Sequence, residues 1–107
     1  MIKIVFHPKD YEVRISGHAG GEKGKDIVCA SVSTLFYTLA KCLIESSDML
    51  KEYPVIKDKE NDEFKIISCI PKEEYENNIV RSYWTILVGM EEISLFYPDK
   101  VQFFVET

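Results

Sequence analysis

The sequence predicts an α+β fold: a single-domain sandwich in the order β-β-α-β-β-α-β, with two long helices packed on one face of a mixed sheet. Two apolar-periodic segments of helical length, near residues 27–46 and 73–95, carry the prediction. Around them lie short runs of alternating polarity, bounded by proline, glycine and aspartate, which read as strands. At 107 residues, 46% hydrophobic and 12% aromatic, the chain can build one real core, so 1–107 is read as a single domain.

The segment MIKIVFH sets Ile2, Ile4 and Phe6 against Lys3, Val5 and His7, the period of a strand. Pro8 closes it and Asp10 suits a turn. In EVRISG, Val13 and Ile15 face one way and Glu12, Arg14 and Ser16 the other, so the first two strands form a hairpin. A glycine-rich loop follows over residues 17–25. Asp26 is a good N-cap for the first helix, because its carboxylate can accept the unpaired amides of the first turn. Val28, Val32, Leu35, Leu39 and Leu43 form its core-facing stripe, and Ser46, Ser47 and Asp48 mark its end.

A weaker strand is expected at 53–57, a solvated charged tip at 58–62, and a strand at 63–70 that Pro71 stops. The second helix carries Ile79, Tyr83, Ile86, Met90 and Ile93 on one stripe. Gly89 within it costs about 1 kcal/mol relative to alanine, which marks close helix packing. Tyr97-Pro98 ends that helix, and VQFFVE makes the last strand.

With 18 acidic against 13 basic residues and a net charge of -5, the composition speaks against direct nucleic-acid binding, which draws on clustered Lys and Arg. No apolar run is read as approaching the ~18 residues that a membrane span needs, and no signal peptide is read at the N-terminus. The three cysteines, Cys29, Cys42 and Cys69, are odd in number and widely spaced. A disulfide framework is therefore not expected, and a reducing cytoplasm is the natural location.

The stretch SGHAGGEKGKDIVCASVS holds the chemistry. It is not a phosphate loop: Gly24-Lys25 is present, but Ala19 stands where the first glycine belongs and Asp26 where Ser or Thr belongs. An acidic residue at the helix N-terminus would repel the anion. His18 and Cys29 are too few ligands for zinc, and no cysteine near Cys29 completes a redox pair, so neither metal nor cofactor is expected.

With Asp26 as cap, Cys29 falls at the third position of the helix, where the unpaired amides favour a thiolate. His18, directly after strand two and eleven residues before Cys29, could form an ion pair with it. First-turn amides could then hold an oxyanion. A packed core cysteine is the alternative reading, and it stands for Cys42 and Cys69 as well. Ser33, one turn after Cys29, could orient the thiol or contact substrate, or simply bond back to the Cys29 carbonyl. Asp26 is read as a cap, with orientation of His18 as a second role. Phe36, Tyr37 and Tyr83 are candidates for an apolar substrate groove, with core packing as the alternative.

These residues carry a resemblance. Gly17-His18-Ala19, then Asp26-Ile27-Val28-Cys29-Ala30 with Ser33 four residues on, resembles the signature of the ribosomal-processing cysteine proteases (Prp). The likeness extends through the chain to the second long helix and its closing Tyr97-Pro98. It implies a cysteine endopeptidase that removes a short N-terminal extension from a large-subunit ribosomal protein precursor. It also implies a Cys29–His18 dyad, a substrate loop containing Gly17, Ala19, Gly20, Gly21 and Gly24, and a homodimer. The chain departs from the family pattern in Gly20-Gly21 and in a loop one residue shorter. A non-enzymatic ribosome-associated binding or assembly protein, with Cys29 structural, is the rival from another class.

Overall fold

The computed structural model of the protein describes residues 1–17, 26–58 and 64–107. In chain order the elements are β1 (Ile2–His7), β2 (Glu12–Gly17), α1 (Ile27–Glu45), β3 (Val55–Lys57), β4 (Lys65–Ser68), α2 (Glu76–Phe96) and β5 (Val101–Val105). The predicted order and fold class are the observed ones. The strands form one mixed sheet ordered β3-β4-β2-β1-β5, in which β1 and β5 are parallel and the other neighbours antiparallel.

Topology explains why both helices share a face. α1 carries the chain from β2 past β4 to β3, and α2 carries it from β4 past β2 and β1 to β5. β2 and β4 run in opposite directions, and the two crossovers also move in opposite directions across the sheet. Two right-handed crossovers that differ in both senses land on the same side. Burial agrees: Ile2, Ile4, Val13, Ile15, Ile67 and Val101 point to the helices and are at most 6% exposed. The alternate row carries Lys3, Arg14 and Lys57.

Several boundaries are shorter than the sequence pattern suggests. β3 begins at Val55 because pairing with β4 spans only Val55↔Ser68 to Lys57↔Ile66. Residues 73–75 form a 3-10 turn, and α2 starts at Glu76. The β1–β2 connection is likewise a 3-10 turn, Pro8–Asp10, closed by Tyr11 at φ 50°. The stripe of α1 is broader than expected, since Phe36 and Ala40 join Val28, Val32, Leu39 and Leu43 in the core. A Cβ at Gly89 would stand 3.1 Å from Leu35 Cδ1, so this glycine does mark where α2 comes closest to α1.

One expectation is corrected. α1 is long and apolar enough to cross a membrane by length and composition alone. Its apolar stripe is instead packed into the core, as in an amphipathic helix covering a sheet.

Candidate active site

The site is built where α1 begins. Asp26 is extended at φ -82° and ψ 105°, and its carboxylate accepts the amides of Val28 at 2.9 Å and Cys29 at 3.2 Å. Ile27, Val28 and Cys29 therefore occupy the first three helical positions, as the sequence predicts. Cys29 is half-buried and packs against the core at the end of the helix where amides outnumber carbonyls. One expectation changes here. Because the Val28 and Cys29 amides already serve the Asp26 carboxylate, they are not aimed at an incoming oxyanion.

The other side of the site is the end of β2. Gly17 pairs with Ile2 and has φ +83°, and a Cβ there would collide with the Met1 carbonyl oxygen. Only glycine satisfies both the left-handed backbone and the close approach. His18, Ala19, Gly20, Gly21 and Gly24 lie outside the described residues. The structure thus places Cys29 and the anchor from which the chain enters His18.

Between these two ends lies a cleft of about 140 Å³. Its floor comes from two facing pairs of the sheet, Ile2↔Gly17 and Ile15↔Lys65. Its roof comes from α1, where Cys29, Val32, Ser33 and Phe36 recur at helical spacing. Ser31 and Thr34 bond back to the carbonyls of Ile27 and Ala30, whereas Ser33 faces the cleft beside Cys29. Of the aromatic candidates, Phe36 lines this cleft. Tyr83 is a core residue packed against Phe6 and Tyr11, and Tyr37 is exposed.

The sequence reading missed Lys65. Its ammonium stands 3.6 Å from the Asp58 carboxylate and over the rings of Tyr37 and Phe36, at 5.2 and 5.8 Å. Tyr37 donates its hydroxyl to the same carboxylate, and that bond, with burial, raises the Tyr37 pKa.

The remaining cysteines and His7 lie elsewhere. Cys69 is 5% exposed and accepts the Tyr83 hydroxyl at 3.5 Å, and burial pushes its thiol up from 9.0. Cys42 is half-buried within α1, and His7 faces Glu106 at 3.6 Å. A larger cleft of about 470 Å³ opens by the β1–β2 turn, at the other end of the sheet from Cys29, lined by Asp10, Glu12, Glu52 and Glu76. Among the described residues no group of three or more His, Cys, Asp or Glu could hold a metal ion.

Comparison with known proteins gives a consistent result. Residues 1–102 match the family model described as cysteine protease Prp. The crystal structure of the essential ribosomal processing protease Prp from S. aureus, with a covalently linked product peptide, is 23% identical with a TM-score of 0.80, covering 99% of this chain and 100% of that one. SMU.848 from Streptococcus mutans is 24% identical with a TM-score of 0.73, over 99% of this chain and 92% of that one. The S. aureus protease with a substrate peptide is 21% identical with a TM-score of 0.71, over 98% and 97%. At these identities the structural likeness establishes the fold. No protein of curated function matches the sequence.

Proposed function

The chain belongs to the cysteine protease Prp family and is a cysteine protease; from that premise we propose that it removes an N-terminal extension from a large-subunit ribosomal protein precursor, with Cys29 as nucleophile and His18 as its base. The observation that carries this reading is the position of Cys29. It sits in the first turn of α1, at a cleft whose opposite wall includes Gly17, the residue before His18.

The chemistry follows in two halves. The Cys29 thiol gives its proton to the His18 imidazole, and the sulfur attacks the scissile carbonyl carbon. The C–N bond then breaks, and the imidazolium returns the proton to the leaving amine. This leaves the extension on Cys29 as a thioester. Water, deprotonated by His18, attacks the thioester, frees the extension as a carboxylic acid and restores the thiol. Asp26 supports the step by fixing the turn that holds Cys29, and Ser33 by facing the same cleft. Ala19, Gly20, Gly21 and Gly24 belong to this reading as the segment that meets the peptide.

A ribosomal precursor is basic, so a net charge of -5 favours its encounter with the enzyme. The two S. aureus structures, of a ribosomal processing protease with a substrate and with a product peptide, support the substrate class. The reading also holds that the protein acts in the cytoplasm as one catalytic domain over residues 1–107, and as a homodimer. Supporting the dimer, Val80, Trp84 and Val88 lie one turn apart on α2 and are all exposed, a contiguous apolar strip of the kind that marks contact surfaces. Sedimentation velocity should give twice the chain mass, and a monomer at micromolar concentration removes the dimer. The rival, a non-enzymatic assembly protein with a structural Cys29, does not fit a member of a protease family.

Incubation with the same organism's ribosomal precursor tests the main reading. Wild type should shorten the precursor, while Cys29→Ala and His18→Ala leave it intact. A precursor left whole by the wild type, or shortened equally by Cys29→Ala, overturns it.

A further inference from the structure

Lys65 breaks the pattern of the sheet. Among the described paired positions it is the only charged residue on the row that faces the helices, in line with Ile67 on its own strand and opposite Ile15. A local break of this kind is where functional residues are expected. Only 36% of its side chain is exposed. The ammonium is held in place by the Asp58 carboxylate and by the faces of two aromatic rings. Asp58 is itself fixed by the Tyr37 hydroxyl. Lys65 and Phe36 both line the cleft beside Cys29, and the ammonium stands over the Phe36 ring, which sets the positive charge at the edge of the cleft.

The rest of that cleft is mostly apolar, with Ile2, Ile15, Val32 and Phe36 on its walls. Its volume of about 140 Å³ is that of a single side chain; an engineered cavity of about 150 Å³ accepts benzene. We propose that Lys65 is a specificity-determining residue of the cleavage site: its ammonium excludes cationic substrate side chains from the cleft beside Cys29 and leaves it to uncharged apolar ones. This rests on the reading of Cys29 as the nucleophile.

The consequence is a division of labour between the field of the molecule and the field of the site. The net charge of -5 draws in a basic chain without choosing where along it to cut. A fixed cation at the cleft supplies the choice, because a lysine or arginine entering there meets a like charge as well as loss of water. Partial exposure and the Asp58 partner weaken the repulsion, which leaves an effect of about tenfold.

Matched peptides read this directly. Peptides spanning the precursor's cleavage junction carry lysine or norleucine, its uncharged counterpart, at each position around the scissile bond in turn. At one position wild type should prefer norleucine in kcat/KM. In Lys65→Met that preference falls about tenfold, in Lys65→Arg it is kept, and in Asp58→Asn, which removes the Asp58 carboxylate charge from beside the cation, it sharpens. An unchanged preference in both Lys65→Met and Asp58→Asn, with Cys29 alkylated at the wild-type rate in each, overturns the proposal. Cleavage that survives in Cys29→Ala overturns the nucleophile instead, so the two failures are told apart.

Discussion

At the residue scale, Cys29 differs from the other two cysteines in where the fold puts it. Cys69 is buried with its sulfur against the Tyr83 hydroxyl, and Cys42 is half-buried in α1, whereas Cys29 stands at the start of α1 and lines a cleft. At neutral pH iodoacetamide should therefore label Cys29 more than tenfold faster than Cys69 and Cys42, and His18→Ala should slow it. Equal slow labelling of all three would contradict the assignment. Gly17 offers a second test. Alanine there must clash with the Met1 carbonyl oxygen and adopt a left-handed backbone, at a cost of about 1–3 kcal/mol or more. Gly17→Ala should lower the melting temperature, and cleavage should fall further than folding alone explains, because His18 is the next residue. A variant that melts and cleaves like the wild type removes the constraint.

Residues were unequally legible in the sequence. Cys29 could be placed to the position, since one capping aspartate sets the helix start and the count follows from it. Lys65 could not. Its strand reads FKIIS, where Ile66 and Ile67 point to opposite faces, so hydrophobicity leaves open which row is buried. Only the register with β2, in which Lys65 meets Ile15, decides it.

At the element scale, α1 and α2 were readable because each keeps one apolar period over several turns, and a core-facing stripe constrains a helix more than its ends do. β3 was read two residues too long: three residues pair with β4, and Pro54, which has no amide hydrogen to give to a ladder, stands directly before the first of them. Gly89 links sequence to packing. Replacement by alanine gains about 1 kcal/mol in helix propensity but puts a methyl group 3.1 Å from Leu35, so the two effects nearly cancel. A leucine has no such room. Gly89→Leu should destabilise by about 1–3 kcal/mol in urea unfolding, with Gly89→Ala within about 1 kcal/mol of wild type. A neutral Gly89→Leu would mean that the helices do not meet there.

At the scale of the whole molecule, the fold sets a pH limit far from the site. Burial raises the Cys69 thiol above 9.0. It also raises the Tyr11 phenol from 10.0 to about 12, with help from its hydrogen bond to Glu76. In both cases the folded state keeps a proton that the unfolded chain gives up earlier. Their contribution is complete below pH 9.0, where both states are protonated, and declines as pH rises towards about 12. Urea midpoints should therefore be flat with respect to these groups up to about pH 9 and fall above it, and Tyr11→Phe should reduce the fall between pH 10 and about 12. A midpoint that rises across this range would contradict the burial of both groups.

The sheet and the helices act together as the frame of the site. They hold Gly17 and the first turn of α1 on either side of one small cleft, and His18 follows Gly17 directly in the sequence. The claim that joins these parts is that the peptide is passed to the Cys29 sulfur. Acid quenching of the enzyme within its first turnovers on the precursor, followed by peptide mass spectrometry, tests it most directly. The fragment containing Cys29 should gain the mass of the N-terminal extension less one water, and hydroxylamine should remove it as expected for a thioester. Turnover of the precursor without that adduct, and at the same rate in Cys29→Ala, would contradict the account.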